Sequence, residues 1–259
     1  MTWLEAIILG LIQGLTEFLP VSSSGHLEIA KSLFGVDPDA SFYFTVAVHG
    51  ATVLSTIFVF WREILALITG SLKFEMNEET SYTLKIILSM IPVGIAGLLL
   101  KEPIENLFDG NLVFVGIMLL ITAALLAVAH FIKKGERSIG YKDALIIGFA
   151  QAIAVIPGIS RSGSTIATGL IIGNRKDEIA RFSFLMVLVP VIGANLLEIF
   201  SGELNTSGTG WGMILTGFIS AFISGYFACK WMITLVRKSK LIWFSLYCVA
   251  AGLFSILIA

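Results

Sequence analysis

Two short polar runs hold the residues of this chain that could do chemistry. The first, QGLTEFLPVSSSGH, places Gln13, Glu17, Ser22, Ser23, Ser24 and His26 between apolar stretches. The second, PGISRSGST, places Ser160, Arg161, Ser162, Ser164 and Thr165 in a like setting. Gln13 and Glu17 stand four apart, hence on one face of a helix that Pro20 ends. Ser22, Ser23 and Ser24 fall where a second short helix opens. Serine is a favoured N-cap, and the orphan N–H groups and positive dipole end there suit an anion. Arg161 carries a planar fork of donors matched to phosphate oxygens. Together these groups could bind a phosphate and attack it. Ser23 would be the nucleophile or would position a water, and His26 or Glu17 would act as general base. Arg161 and the helix N–H groups would stabilise charge on the transferring phosphoryl. Glu17, with Gln13 beside it, could instead hold a divalent cation bridging diphosphate oxygens. Ser22 and Ser160 read equally as N-caps or as phosphate contacts; Ser24 and Ser162 read as capping residues.

The two runs are related to each other. At a constant offset of 138, Gly10 meets Gly148, Gln13 meets Gln151, Ser22 meets Ser160, Ser24 meets Ser162 and Gly25 meets Gly163. At the same offset Ser23 meets Arg161. The elements that position these residues must sit in a membrane. The chain has 259 residues, of which 56% are hydrophobic and 14% charged; a soluble domain carries about 25% charged residues. No cleavage-site pattern follows the first apolar run, so no removable signal peptide is expected. Cys229 and Cys248 lie in apolar runs without metal-ligand spacing and read as packing residues. No zinc site and no nucleic-acid partner is expected.

Six stretches approach the roughly 20 apolar residues that a spanning helix needs: about 42–61, 84–100, 112–132, 180–200, 211–236 and 241–258. The polar runs interrupt shorter segments. Residues 144–157, as a helix, would reach only about 21 Å against a hydrocarbon core of about 30 Å. Each polar run is therefore predicted to lie at the tip of a re-entrant helix-loop-helix hairpin, buried in protein or lining a wet cavity. The expected fold is all-α and integral to the membrane, with six transmembrane helices and two re-entrant hairpins. Three spans follow each hairpin, so the second half, about 138–259, is inverted relative to the first, about 1–132. Thirteen basic residues fall on one side of this topology: Arg62, Lys73, Lys85, Lys133, Lys134, Arg137, Lys142, Arg175, Lys176, Arg181, Arg237, Lys238 and Lys240. Lys31 and Lys101 lie on the other, among Glu5, Glu102, Glu105, Asp109 and Glu203. The basic side is expected to be cytoplasmic, with both termini outside.

At the two polar runs the chain resembles the undecaprenyl-diphosphate phosphatase family, also called the bacitracin-resistance family. The resemblance covers essentially the whole chain. It implies an inner-membrane enzyme that hydrolyses undecaprenyl diphosphate to the monophosphate and inorganic phosphate. The product would be the lipid carrier recycled in peptidoglycan and envelope glycan synthesis. The resemblance also implies a divalent cation, Mg2+ or Ca2+, a polyprenyl diphosphate substrate and a site open to the periplasmic side. Carried onto this sequence, the family's acidic motif falls on Gln13 and Glu17, its hydroxyl on Ser23 and its histidine on His26. The second motif falls on Ser160, Arg161, Ser162 and Thr165. Gln13 brings no negative charge, which leaves Glu17 alone in a role suited to paired carboxylates. The alternative reading is a flippase or transporter for a phosphorylated lipid, since broken helices in inverted repeats also serve transport. A phosphatidate-phosphatase-like site is excluded, because no histidine follows Ser160–Arg161. Elsewhere the expectations are plain ones. Ser32, Ser55, Ser89, Ser220 and Ser224 read as close-packing residues, His49 as an inter-helix hydrogen bond and His130 as interfacial. Glu5, Glu28 and Glu198 read as boundary residues, and the stretch from Lys73 to Glu79 as a solvated connection.

Overall fold

The computed structural model describes residues 1–36, 42–99, 110–132, 135–200, 210–237 and 240–259. The charges assigned above to Lys101, Glu102, Glu105, Asp109, Lys133, Lys134, Glu203 and Lys238 lie outside them, as does the Glu198 side chain. The chain is a helical membrane protein. Helices α1 (Trp3–Phe18) and α2 (Ser23–Phe34) flank the Pro20 break. Then come α3 (Phe42–Val59), α4 (Trp61–Ser71), α5 (Glu78–Leu99) and α6 (Leu112–Phe131). The second polar run separates α7 (Tyr141–Ile153) from α8 (Arg161–Ile171). It is followed by α9 (Lys176–Met186), α10 (Leu188–Phe200), α11 (Trp211–Arg237) and α12 (Leu241–Leu257).

Among the described residues, four stretches are long and apolar enough to cross a membrane: α5, α6, α9 with most of α10, and α11. Helices α3 and α4 qualify only as a pair bent by 75°, and α12 is an apolar helix of 17 residues. The six expected stretches are thus all helical, but one of them is broken. Residues 62–83, between the first two expected spans, are largely helical. Buried Phe60 sits at the bend, α4 carries the chain on, and α5 starts six residues before the apolar run. That early start has a local cause. Asn77 accepts the Thr80 N–H at 2.8 Å, and Glu78 and Glu79 occupy the first turn, where the helix dipole favours acids. Only Lys73 to Asn77 remain outside helix in the stretch read as a solvated connection.

Equivalent helices of the two halves repeat the same packing. Helix α1 lies along α11, α7 lies along α5, and α6 lies along α12. Both close approaches need glycine. A Cβ on Gly10 would strike the Gly217 carbonyl, and one on Gly148 would strike that of Ser89. One turn on, a Cβ on Gly14 would meet Ser224 Oγ and lie 2.5 Å from the Ala221 carbonyl oxygen. Small residues at such crossings let backbones meet where lipid supplies no hydrophobic drive. The main core joins the halves, with Phe18, Val21 and Phe60 packed among Ile166, Phe182 and Phe184.

The helix that ends each half also holds the other half's hairpin. Thr122 on α6 donates its hydroxyl to the Gly158 carbonyl at 3.3 Å and accepts the Ser160 N–H at 3.0 Å. Cys248 on α12 donates to the Pro20 carbonyl at 3.7 Å. Pro20 and Gly158 are equivalent at the offset of 138. The hairpin tips also touch directly: a Cβ on Gly25 would lie 3.2 Å from Gly158 Cα, and one on Gly163 3.3 Å from Pro20 Cβ.

Gly14→Ala should destabilise the fold by about 1–3 kcal/mol through overpacking at the α1–α11 crossing. Gly50→Ala, where a Cβ would meet nothing within 4 Å, should be neutral or stabilising by up to about 1 kcal/mol. Thermal unfolding in detergent measures both.

Candidate active site

The two hairpin tips bring α2 and α8 together at their N-termini. Ser22 caps α2, accepting the Gly25 N–H at 3.3 Å, and Ser160 caps α8, accepting that of Gly163 at 3.1 Å. Behind each cap a second serine hydroxyl pairs with the first, Ser24 at 3.3 Å and Ser162 at 3.4 Å. Neither accepts a backbone N–H in the caps described. Ser162 instead ties the hairpins together, donating to the Leu19 carbonyl at 3.0 Å. The caps differ in one respect. Ser160 has φ −75°, whereas Ser22 has φ 70° and ψ 98°. A non-glycine residue held there costs about 1–3 kcal/mol and tends to mark functional positions.

Glu17 is the centre of the cluster. Its carboxylate pairs with Arg161 Nη2 from the other half, accepts the Ser23 hydroxyl at 2.6 Å and accepts Gln13 Nε2 at 2.9 Å. Gln13 and Glu17 meet because they lie one turn apart. Ser23 reaches Glu17 because the break after Phe18 folds α2 back on α1. Two buried atoms beside the carboxylate have no partner among the described residues, the donor Arg161 Nη1 and the acceptor Gln13 Oε1. A donor left over in this setting calls for an anion, and an oxygen left over calls for a cation or a donor. Glu17 and Arg161 form the floor of a small cleft walled by Thr52 and Thr56 of α3 and by Phe184, Val187, Leu188 and Val191 of the α9–α10 stretch. A charged floor under largely apolar walls suits an amphipathic ligand with an anionic head.

The structure separates His26 from this group. Its Nδ1 lies 2.7 Å from the Ser22 carbonyl oxygen and its Nε2 2.8 Å from the Tyr247 hydroxyl. A carbonyl only accepts, so Nδ1 carries the proton and Nε2 accepts from the phenol. Of the two candidate bases, Glu17 therefore holds the Ser23 hydroxyl. Thr165 is turned away as well: it is fully buried, donates to the Arg161 carbonyl at 2.9 Å and pairs with Ser183 on α9 at 2.6 Å. His49 makes an intrahelical contact, Nδ1 to the Thr45 carbonyl at 2.9 Å, rather than an inter-helix one. Sequence reading missed Tyr247, Thr122, Thr52 and Thr56. Thr122 alone carried a local signal, a hydroxyl midway through a charge-free run.

Comparison with known proteins agrees along nearly the whole length. The family described as "Bacitracin resistance protein BacA" matches residues 6–254. An undecaprenyl-diphosphatase of Parabacteroides distasonis is 52% identical over 99% of this chain and 98% of its own. One of Christiangramia forsetii is 53% identical over 98% of this chain and 97% of its own. One of Methanosphaera stadtmanae is 39% identical over 99% of this chain and 98% of its own.

Glu17 and Arg161 side chains are 11% and 18% exposed. Arg161→Met alone strands a buried carboxylate and should destabilise by about 3–5 kcal/mol. Glu17→Leu together with Arg161→Met should cost less than either change alone, as thermal unfolding of the three variants will show.

Proposed function

The chain belongs to the bacitracin resistance protein BacA family, and on that premise we propose that it hydrolyses undecaprenyl diphosphate to undecaprenyl phosphate and inorganic phosphate. The observation that carries this reading is the Ser23 hydroxyl donating to Glu17, with Arg161 on the same carboxylate and one Arg161 nitrogen free. A flippase or transporter would need the anion donors but not a hydroxyl held on a carboxylate. The bond therefore favours hydrolysis over transport.

The geometry supports the following course. The polyprenyl tail lies along the apolar cleft wall, and the diphosphate rests on its floor. Arg161 Nη1 and the N–H groups opening α2 and α8 receive the terminal phosphoryl oxygens. Ser23 Oγ attacks the terminal phosphorus as its proton passes to Glu17 Oε2. The bond from that phosphorus to the bridging oxygen breaks, and undecaprenyl phosphate leaves. Water then attacks the phosphoserine, His26 takes the water's proton, and Glu17 returns its proton to Ser23. Phosphate departs and the hydroxyl is restored. Ser22 and Ser160 set the two N-termini; Ser162 and Thr165 hold Arg161's helix in place.

The same floor fits a divalent cation, Mg2+ or Ca2+. Gln13 Oε1 is a buried oxygen without a partner, next to the Glu17 carboxylate. Among the described residues no group of three or more His, Cys, Asp or Glu could hold a metal; Glu17 and Gln13 would hold the cation with the help of the substrate's own phosphate oxygens. A cation bound there screens the charge of the diphosphate. The reading further places the chain in the bacterial inner membrane, with both termini outside and the cleft open to the periplasmic side. The repeats, about 1–132 and 138–259, then divide the work, and the product re-enters envelope glycan synthesis and confers bacitracin resistance. The one-sided distribution of Lys and Arg supports that orientation.

Purified protein should release phosphate from undecaprenyl diphosphate. Ser23→Ala and Arg161→Ala should each lower kcat by about 10²–10⁴-fold, and full turnover by both would remove the assigned roles. Chelation of divalent cations should stop release. Gln13→Ala should raise the cation concentration that restores half the rate, and Gln13→Glu should lower it; equal titrations in all three proteins would exclude Gln13 from the cation site.

A further inference from the structure

The His26 ring is held by a residue 221 positions away. Tyr247 on α12 places its hydroxyl 2.8 Å from Nε2, with the two rings nearly coplanar in orientation, 7° apart. The other nitrogen, Nδ1, is fixed by the Ser22 carbonyl at 2.7 Å. Both ring nitrogens are thus engaged: the carbonyl selects the Nδ1–H tautomer, and the phenol donates to the Nε2 that this leaves as acceptor. The next residue, Cys248, donates to the Pro20 carbonyl, which fixes the register of α12 against the first hairpin.

The pair has no counterpart in the other half. Thr122 holds Gly158 as Cys248 holds Pro20, so Tyr247 corresponds to Ile121, and His26 corresponds to Ser164 at the offset of 138. Ile121 has no hydroxyl to offer. The clamp on the hairpin tip is common to both halves, whereas the phenol is found only in the clamp on the hairpin that carries Ser23 and Glu17. Packing alone needs no hydroxyl at this place.

We propose that Tyr247 is a positioning residue for His26: its hydroxyl fixes the orientation of the imidazole, whose Nδ1–H the Ser22 carbonyl holds, and keeps Nε2 an acceptor until the attacking water takes the phenol's place there. The proposal rests on the role given above to His26 as acceptor of the proton from water. A histidine with Nε2 protonated would meet that water as a donor and would be ineffective as a base. Dephosphorylation of Ser23, not binding of the diphosphate, is the step that Tyr247 governs.

Tyr247→Phe keeps the ring and removes only the hydroxyl, so it tests the bond directly. Its kcat for phosphate release should fall about 10-fold or more while KM stays within about two-fold. In protein labelled with 15N-histidine, the His26 Nε2 signal, assigned by its loss in His26→Ala, should shift in Tyr247→Phe. The double variant should be no slower than His26→Ala. An unchanged kcat or an unmoved Nε2 signal in Tyr247→Phe overturns the proposal, as does an equal loss when the change is made on the His26→Ala background. Full turnover by His26→Ala would remove His26 from the reaction and take this proposal with it. A slow His26→Ala beside a fast Tyr247→Phe would overturn the proposal alone.

Discussion

The whole arrangement depends on one ion pair that spans the two halves of the chain. Glu17 and Arg161 are 144 residues apart, and each is a charge placed where water is scarce. Either alone would cost several kcal/mol to bury. Together they fix where the tips of the two hairpins meet. Because each charge sits within a turn or two of a helix end, their meeting brings two helix N-termini to one point. The neutralisation leaves something over: Glu17 accepts from Arg161, Ser23 and Gln13, while one Arg161 donor and one Gln13 acceptor have no partner among the described residues. A polar cluster that left nothing over would be a structural strut. This one retains capacity for a ligand.

Around the pair, likeness builds the scaffold and unlikeness builds the chemistry. The caps, the glycine crossings and the clamps on Pro20 and Gly158 recur in both halves. The reactive groups do not. Glu17 corresponds to Val155, so Gln151, buried like Gln13, has no carboxylate to hold and both its amide atoms are unpartnered among the described residues. Ser22 takes a left-handed backbone that its counterpart Ser160 does not. Strain and unmatched polarity have gathered at corresponding points, and only the first half converts them into a set of interacting side chains.

Features governed by neighbouring residues were legible in the sequence. The Pro20 and Pro157–Gly158 breaks and the Ser22 and Ser160 caps are decided within a few positions, and they stand where the spacing put them. The pairing of Gln13 with Glu17 is likewise a matter of one turn. What escaped was decided by packing over long sequence distances. Nothing near His26 reveals that a tyrosine on the last helix claims its Nε2. Nothing near Ser162 reveals that its hydroxyl will tie to Leu19 rather than remain with its own helix. The bend between α3 and α4 escaped for a related reason: the apolar run continues through Phe60, and the turn is made by burying that ring, not by a proline or glycine.

The crossed clamps impose an order on assembly. Helix α6 is made before the hairpin it holds, so the Gly158 tip meets Thr122 as soon as it arrives. The Pro20 tip is made first and must wait for α12, the last helix of the chain. Until α12 docks, the first hairpin lacks its Cys248 contact and the His26 ring is without its phenol. A chain still in synthesis therefore carries a preformed second tip and an unfinished first one, and the surroundings of His26 are completed as a late step. Such a sequence keeps the nucleophile's surroundings incomplete until the rest of the protein is in the membrane.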